Sequence, residues 1–228
     1  MQDIPIDNNP KDDEPKNIIQ FKILVVGASS VGKTSLVCRT VNNLFSEGYK
    51  ATIGVDFASK TIRWNPDTEI VLHFWDLAGQ DRFKGIVRAY YRETHGVLCV
   101  YDVMRRETKA DMVAWRDLVE ENCRKANGEK MFPPCVMLAN KVDLLSGLDV
   151  PLDYDAIARE GGFYSGFPVS AKTGAGIDAA LKNLIEKMLK MREEGFSYEC
   201  PEAEEKISLE SFEKLPTKSR WSSWTGWC

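Results

Sequence analysis

The chain has 228 residues, of which 43% are hydrophobic and 28% charged, and its formal net charge is -4. That length supports one domain with tails and a substantial core, and the acidic balance excludes a general nucleic-acid binder, which needs a basic surface. Six scattered cysteines without a CxxC pair, beside two histidines, argue against a zinc site or a disulfide scaffold and fit a reducing cytosol.

Residues 1–18 are polar and acidic and read as a flexible arm. Met1 to Pro5 lacks the basic-then-apolar pattern of a secretory leader. No apolar run approaches the ~18 residues of a membrane span, so membrane contact is expected only through a tail or a lipid. Phe21 to Val26 predicts a buried strand ending at Gly27, followed by a helix from about Gly32 with Leu36, Val37 and Val41 inward. Asp56 to Trp64 and Ile70 to Asp76 predict a hairpin about Asn65-Pro66-Asp67. Strands and helices then alternate: Gly96 to Val103, Glu107 to Arg124, Cys135 to Asn140, Tyr154 to Glu160, Phe167 to Val169, and Ile177 to Arg192. The last is amphipathic, with Leu181, Leu184, Ile185, Met188 and Leu189 on one side. This pattern predicts an α/β fold: a six-stranded, mostly parallel sheet with helices on both faces, spanning residues 19–194, then a flexible tail over 195–228.

Four strings lie just past strand ends, where such sheets hold ligands. Gly27-Ala28-Ser29-Ser30-Val31-Gly32-Lys33-Thr34 sits between a strand and a helix, the context of a phosphate-cradling P-loop. Ser29, Ser30, Val31, Gly32, Lys33, Thr34 and Ser35 are the candidate phosphate-binding residues, with the Lys33 ammonium on the β- and γ-phosphates and the Thr34 hydroxyl on Mg²⁺. In Asp76-Leu77-Ala78-Gly79-Gln80, Asp76 is expected in the Mg²⁺ shell, the Gly79 N–H close to the γ-phosphate, and Gln80 orienting the attacking water. Asn140-Lys141-Val142-Asp143 and Ser170-Ala171-Lys172 read the base. The Asp143 carboxylate accepts from the guanine N1–H and exocyclic amine, which adenine does not offer. Lys141 and Lys172 are expected to lay their stems along the ring, and the Ala171 N–H to donate to O6.

The chain resembles the Ras superfamily of small GTPases, and within it the Rab family, over roughly residues 20–192. The strings that carry this are Ile53-Gly54-Val55-Asp56-Phe57, Trp75 to Phe83, and Tyr90-Tyr91-Arg92. The resemblance implies that Thr52 binds Mg²⁺ and contacts the γ-phosphate, that Phe45 packs against guanine, and that Tyr49 lies over the phosphates. It also implies a partner-reading triad of Phe57, Trp75 and Tyr90. Plain core is the competing reading of those aromatics, and exposure decides between them. Leu77, the Asn127-Gly128 loop and Gly162 to Phe167 are similar to the Rab branch serving lysosome-related organelles. A GTP/GDP switch in vesicle trafficking follows, slow unaided, with effectors, an exchange factor, a GTPase-activating protein and a prenyl-binding escort. A monomer is expected, on the cytosolic face of an endomembrane.

Three features depart from the family. Ser30 replaces a glycine of the phosphate loop, Asp81 replaces a glutamate, and a single terminal Cys228 replaces paired cysteines. Cys228 is the lipidation candidate, with Trp221, Trp224, Trp227, Lys218 and Arg220 as a second membrane signal. An unmodified cysteine and a protein-docking tail are the alternatives. Ser30 also leaves open a GTP-binding scaffold with little hydrolysis; an ATP-dependent P-loop enzyme is opposed by Asp143.

Overall fold

Ile23 to Gly27, Gly96 to Asp102 and Cys135 to Asn140 are buried without a break, as central strands covered on both faces must be. The computed structural model describes residue 15 and residues 17–48, 51–79, 90–123, 132–145 and 152–196. Its elements are β1 (Asn17–Gly27), α1 (Lys33–Asn42), β2 (Val55–Asn65), β3 (Thr68–Leu77), β4 (Gly96–Asp102), α2 (Glu107–Asn122), β5 (Cys135–Asn140), α3 (Tyr154–Glu160), β6 (Ser165–Val169) and α4 (Ile177–Glu193). They form a six-stranded sheet in the order β2-β3-β1-β4-β5-β6. Every neighbouring pair is parallel except the β2–β3 hairpin.

Two cores follow from this layering. One packs α1 and α4 on the sheet through Leu36, Val37, Leu181, Leu184 and Met188. The other packs α2 and α3 on the opposite face through Met112, Trp115, Val119 and Ala158. The α4 stripe read from the sequence is buried at Leu181, Leu184, Ile185 and Met188 and half-buried at Leu189. β1 starts at Asn17, four residues before the apolar run, because Asn17 to Gln20 pair with Thr68 to Val71 of β3. Asn17 and Ile18, expected in the arm, therefore belong to the strand. β6 likewise begins at Ser165, where it pairs with Val136. The remainder of the arm except Pro15, nearly all of the tail, Arg124 and the Asn127-Gly128 loop lie outside the described residues.

The topology decides where the site falls. β1, β4, β5 and β6 run in the same direction beside one another, so their carboxyl ends open onto one edge of the sheet. Gly27, Asp102, Asn140 and Val169 are the last residues of those strands. The loops that follow carry the phosphate string, the turn before α2, and both base-reading strings.

Candidate nucleotide site

A cavity of about 690 Å³ lies at this edge, lined by the phosphate loop, the segment around Phe45 and Thr52, Gly79, and residues of both base-reading strings. Its size is that of a small-molecule site. At one end, α1 begins at Lys33 with Gly32 as its N-cap at φ 95°. A Cβ there would meet the Asn140 amide nitrogen at 2.5 Å, besides the left-handed backbone. The helix thus starts with unpaired N–H groups and a partial positive charge facing the cavity. Ser30 adopts φ 63°, so the residue that replaces glycine carries the left-handed strain foreseen for it, about 1 kcal/mol. The Lys33 ammonium donates to the carbonyls of Gly27 at 3.0 Å and Ala28 at 2.8 Å. Burial pulls its pKa down to about 8, against the raising effect of Asp76.

Oxygen donors gather beside that lysine. The Thr34 hydroxyl lies 2.5 Å from Asp76 Oδ2 and 2.8 Å from the Thr52 hydroxyl. Thr52 Oγ1 is 3.5 Å from the same carboxylate oxygen. Burial pushes the Asp76 carboxyl up to about 6, although the Thr34 hydroxyl and Lys33 act to lower it. Asp76 Oδ1 is buried and has no hydrogen-bond partner among the described residues. A buried carboxylate with an unused oxygen, next to two hydroxyls, is the donor chemistry of a hard divalent cation such as Mg²⁺. The buried ammonium beside it suits phosphate. Gly79 sits so close to the phosphate loop that a Cβ would meet the Ser29 nitrogen at 2.4 Å; only a glycine lets the β3 end and this loop converge.

The other end of the cavity is stiffened by hydrogen bonds. Asn140, only 1% exposed, donates to the Val31 carbonyl at 2.8 Å and accepts from the Ala171 N–H at 3.1 Å. One amide therefore ties the phosphate loop to the Ser170-Ala171-Lys172 loop. The Ser170 hydroxyl donates to Asp143 Oδ1 at 2.6 Å, which fixes the carboxylate's plane. The Ala171 N–H, expected to face the guanine O6, donates here to Asn140 Oδ1. Lys141 and Lys172 line the cavity. The Lys141 ammonium, however, is occupied by the Ser30 carbonyl at 3.0 Å and Asp102 at 2.7 Å, while exposed Lys172 meets Glu47 at 3.3 Å. Ser35 and Phe45 also line the cavity. Tyr49, Gln80, Asp81 and Cys228 lie outside the described residues.

Two positions join the site that sequence reading did not single out. Asp102, at the end of β4, bonds both Lys141 and Arg105. Arg39 of α1 donates to the carbonyls of Ala171 at 3.0 Å and Lys172 at 2.6 Å, which ties the helix to the base loop. The strand-end rule that located the four strings also points to Asp102. Nothing in the sequence marks Arg39, since its partners are main-chain carbonyls.

Away from the cavity, Phe57 stacks edge-on against Trp75 with ring centroids 4.6 Å apart, and Trp75 stands 6.1 Å from Tyr90. The Lys22 ammonium lies 3.7 Å from the Trp75 ring centroid. Phe57 is 48% exposed, and Trp75 and Tyr90 are half-buried at the margin of the α2 core. Phe57 thus lies at the surface, while Trp75 and Tyr90 are half-buried and also pack against the core.

The phosphate loop opening α1, the converging oxygens and the carboxylate at the base end define a guanine-nucleotide-binding P-loop domain of the small-GTPase class. The Ras family model matches residues 22–190. Ras-related protein Rab-32A of Dictyostelium discoideum is 43% identical over 187 residues, covering 80% of this chain and 84% of that protein. Human Ras-related protein Rab-32 is 41% identical over 170 residues, with coverages of 74% and 75%. Human Ras-related protein Rab-7L1 is 41% identical over 171 residues, with coverages of 75% and 83%. The chain belongs to the Ras family of small GTPases and, within it, to the Rab family. It is a Rab-like GTPase, a GTP hydrolase that switches between nucleotide states in vesicle trafficking, and the scaffold reading suggested by Ser30 is not favoured. As a Rab it works with effectors, exchange factors and activating proteins at endomembranes. Among the described residues no helix is long and apolar enough to cross a membrane.

Proposed function

We propose that the cavity holds GTP or GDP with its phosphates on the Ser29 to Ser35 loop and its guanine against Asp143. The observation that carries this reading is the pairing of two opposite ends in one cavity. Lys33, Thr34 and Thr52 line one end; Asp143, Ala171 and Lys172 line the other. Lys33 neutralises the β- and γ-phosphates. Thr34, Thr52 and Asp76 would hold Mg²⁺, which when bound would offset the negative charge of the phosphates. Thr52 reports the γ-phosphate: with it, the segment carrying Thr52 is held; after hydrolysis, that hold is lost. Gln80 orients the attacking water, and the Gly79 N–H supports the γ-phosphate. Phe45 packs on the base and Tyr49 covers the phosphates.

The exposed Phe57, with Trp75 and Tyr90, presents the state of the switch to effectors. A geranylgeranyl group on Cys228, handled by a prenyl-binding escort, attaches the tail to an endosomal or lysosome-related membrane. The arm (1–16), the GTPase domain, which takes in Asn17 and Ile18 through β1 and runs to residue 194, and the tail (195–228) divide the chain accordingly. Single-turnover phosphate release from GTP-loaded protein tests the catalytic assignment. Slow release that Gln80→Leu slows further is the expected result; equal rates would remove Gln80 from the mechanism. Mass spectrometry of the C-terminal peptide from native cells tests the lipid, and an unmodified Cys228 would end that part of the proposal.

A further inference from the structure

Arg105 lies in the turn between β4 and α2. Its Nη2 donates to the Ser29 carbonyl at 3.0 Å, and its Nε to Asp102 Oδ2 at 3.1 Å. Lys141 Nζ donates to the next carbonyl of the phosphate loop, that of Ser30, at 3.0 Å, and to the same Asp102 oxygen at 2.7 Å. Two consecutive carbonyls of the loop are thus each held by a cation, and both cations share one carboxylate oxygen. The Asp102 side chain is 4% exposed, against 39% for Arg105 and 32% for Lys141. Its Oδ1 accepts from the Met104 N–H at 3.0 Å. Burial alone would raise the Asp102 carboxyl, but Lys141, the Met104 N–H and Arg105 outweigh it and hold it below the usual carboxylate range. The anion that organises both cations is therefore charged across the physiological range.

These ties act on the loop through peptide geometry. In a trans peptide unit the carbonyl of one residue and the N–H of the next point in opposite directions. Holding the Ser29 carbonyl against Arg105, on the β4 side, turns the Ser30 N–H the other way, and holding the Ser30 carbonyl against Lys141 does the same for the Val31 N–H. Between these two peptides sits Ser30 at φ 63°, a conformation a Cβ-bearing residue leaves readily unless its neighbours prevent it. Relaxation of Ser30 would rotate both peptide units and spoil the row of N–H groups offered to phosphate.

We propose that Arg105 is a positioning residue for nucleotide. It acts through the Ser29 carbonyl and, with Asp102 and Lys141, keeps Ser30 in the left-handed conformation that the phosphate loop requires. This rests on the reading of the cavity as a guanine-nucleotide site. An exposed arginine paired only to a surface carboxylate would contribute little. Here one partner is a buried, fully engaged carboxylate and the other is the loop itself.

The test is the release rate of a fluorescent GDP from Mg²⁺-loaded, full-length protein, compared among the parent, R105A, R105K, S30G and the double variant R105A/S30G. R105A should release GDP about tenfold faster than the parent, equivalent to about 1.4 kcal/mol. R105K, with one donor group in place of a planar fork, should fall between the two. Glycine takes a positive φ at no steric cost, so adding R105A to S30G should accelerate release by less than about threefold. That non-additivity is the signature of acting through Ser30, and general destabilisation would not produce it. Equal release from the parent and R105A, or the same R105A factor in both backgrounds, would overturn the role of Arg105. A parent that takes up no GDP would overturn the nucleotide reading instead. Should R105A fail to fold, R105K against the parent and R105A/S30G against S30G carry the test.

Discussion

Asn140 joins the two halves of the nucleotide cavity through one side chain, so its loss should be felt mainly in nucleotide retention. In Asn140→Ala the Val31 carbonyl loses a donor at 2.8 Å and the Ala171 N–H loses an acceptor at 3.1 Å. Val31 is fully buried and Ala171 is 4% exposed, so neither group regains a full water shell. A buried hydrogen bond contributes about 1 kcal/mol, and an orphaned partner costs roughly as much again. For two such bonds, about 4 kcal/mol is lost, a factor on the order of 10³ in affinity. The change should appear in the dissociation rate, since the loops must separate for the ligand to leave. Stopped-flow release of fluorescent GDP in Mg²⁺ measures it. Asn140→Asp, which keeps the acceptor for Ala171 but not the donor for Val31, should lie between the parent and alanine. Release from Asn140→Ala within about twofold of the parent would refute the coupling, because two orphaned buried groups cannot cost so little.

Other outcomes follow from the same geometry. Asp143→Asn should shift preference from guanine toward xanthine nucleotides in a competition titration, since the amide now offers a donor to the 2-oxo group; an unchanged preference would reject Asp143 as the base reader. His95 should make the protein less stable in mild acid. Burial, helped by the charges of Lys22, Arg192 and His73, lowers its pKa from 6.5 to about 4. Above pH 6.5 both states are neutral, and as pH falls toward 4 only the unfolded chain takes the proton, so stability falls. Between pH 7.5 and 5 this amounts to about 2 kcal/mol. Asp76, raised to about 6, acts in the opposite sense, so the informative quantity is the difference between the parent and His95→Gln in urea midpoint at the two pH values. Equal declines in both proteins would discount His95. Finally, Phe57→Ala should cost no more than about 1 kcal/mol, whereas Phe74→Ala, fully buried in the α1 face, should cost about 3–5 kcal/mol. Comparable urea midpoints would return Phe57 to the core and remove it from the partner surface.

The sequence was most readable where a single physical rule governs a whole segment. Unbroken apolar runs marked β4 and β5, alternation marked the β2–β3 hairpin, and a 3.6-residue stripe marked α4. The start of β1 was not readable, because Asn17 to Gln20 are strand only by virtue of pairing with β3, and pairing leaves no local trace. Lys33, Thr34, Asp76 and Asp143 stood out in the sequence because phosphate, cation and guanine each demand a particular side chain at a particular strand end. The structure gathers Lys33, Thr34 and Asp76 and lines the same cavity with Asp143. The ties from Arg39 and Arg105 did not stand out, since they end on carbonyls that every residue possesses. The sequence also posed a question it could not answer: serine at position 30 is costly only with positive φ, and the backbone there is left-handed. The second role of Lys141, spanning Ser30 and Asp102, and the prior engagement of the Ala171 N–H likewise emerge only when the loops are folded against each other.

The most direct test is the nucleotide content of the purified protein. Protein denatured after purification in Mg²⁺ should yield close to one guanosine nucleotide per chain, chiefly GDP, and stripped protein should bind GDP with measurable heat while ATP gives none. Recovery of adenosine nucleotides, or of no nucleotide together with no calorimetric response to GDP, would contradict the assignment of the cavity.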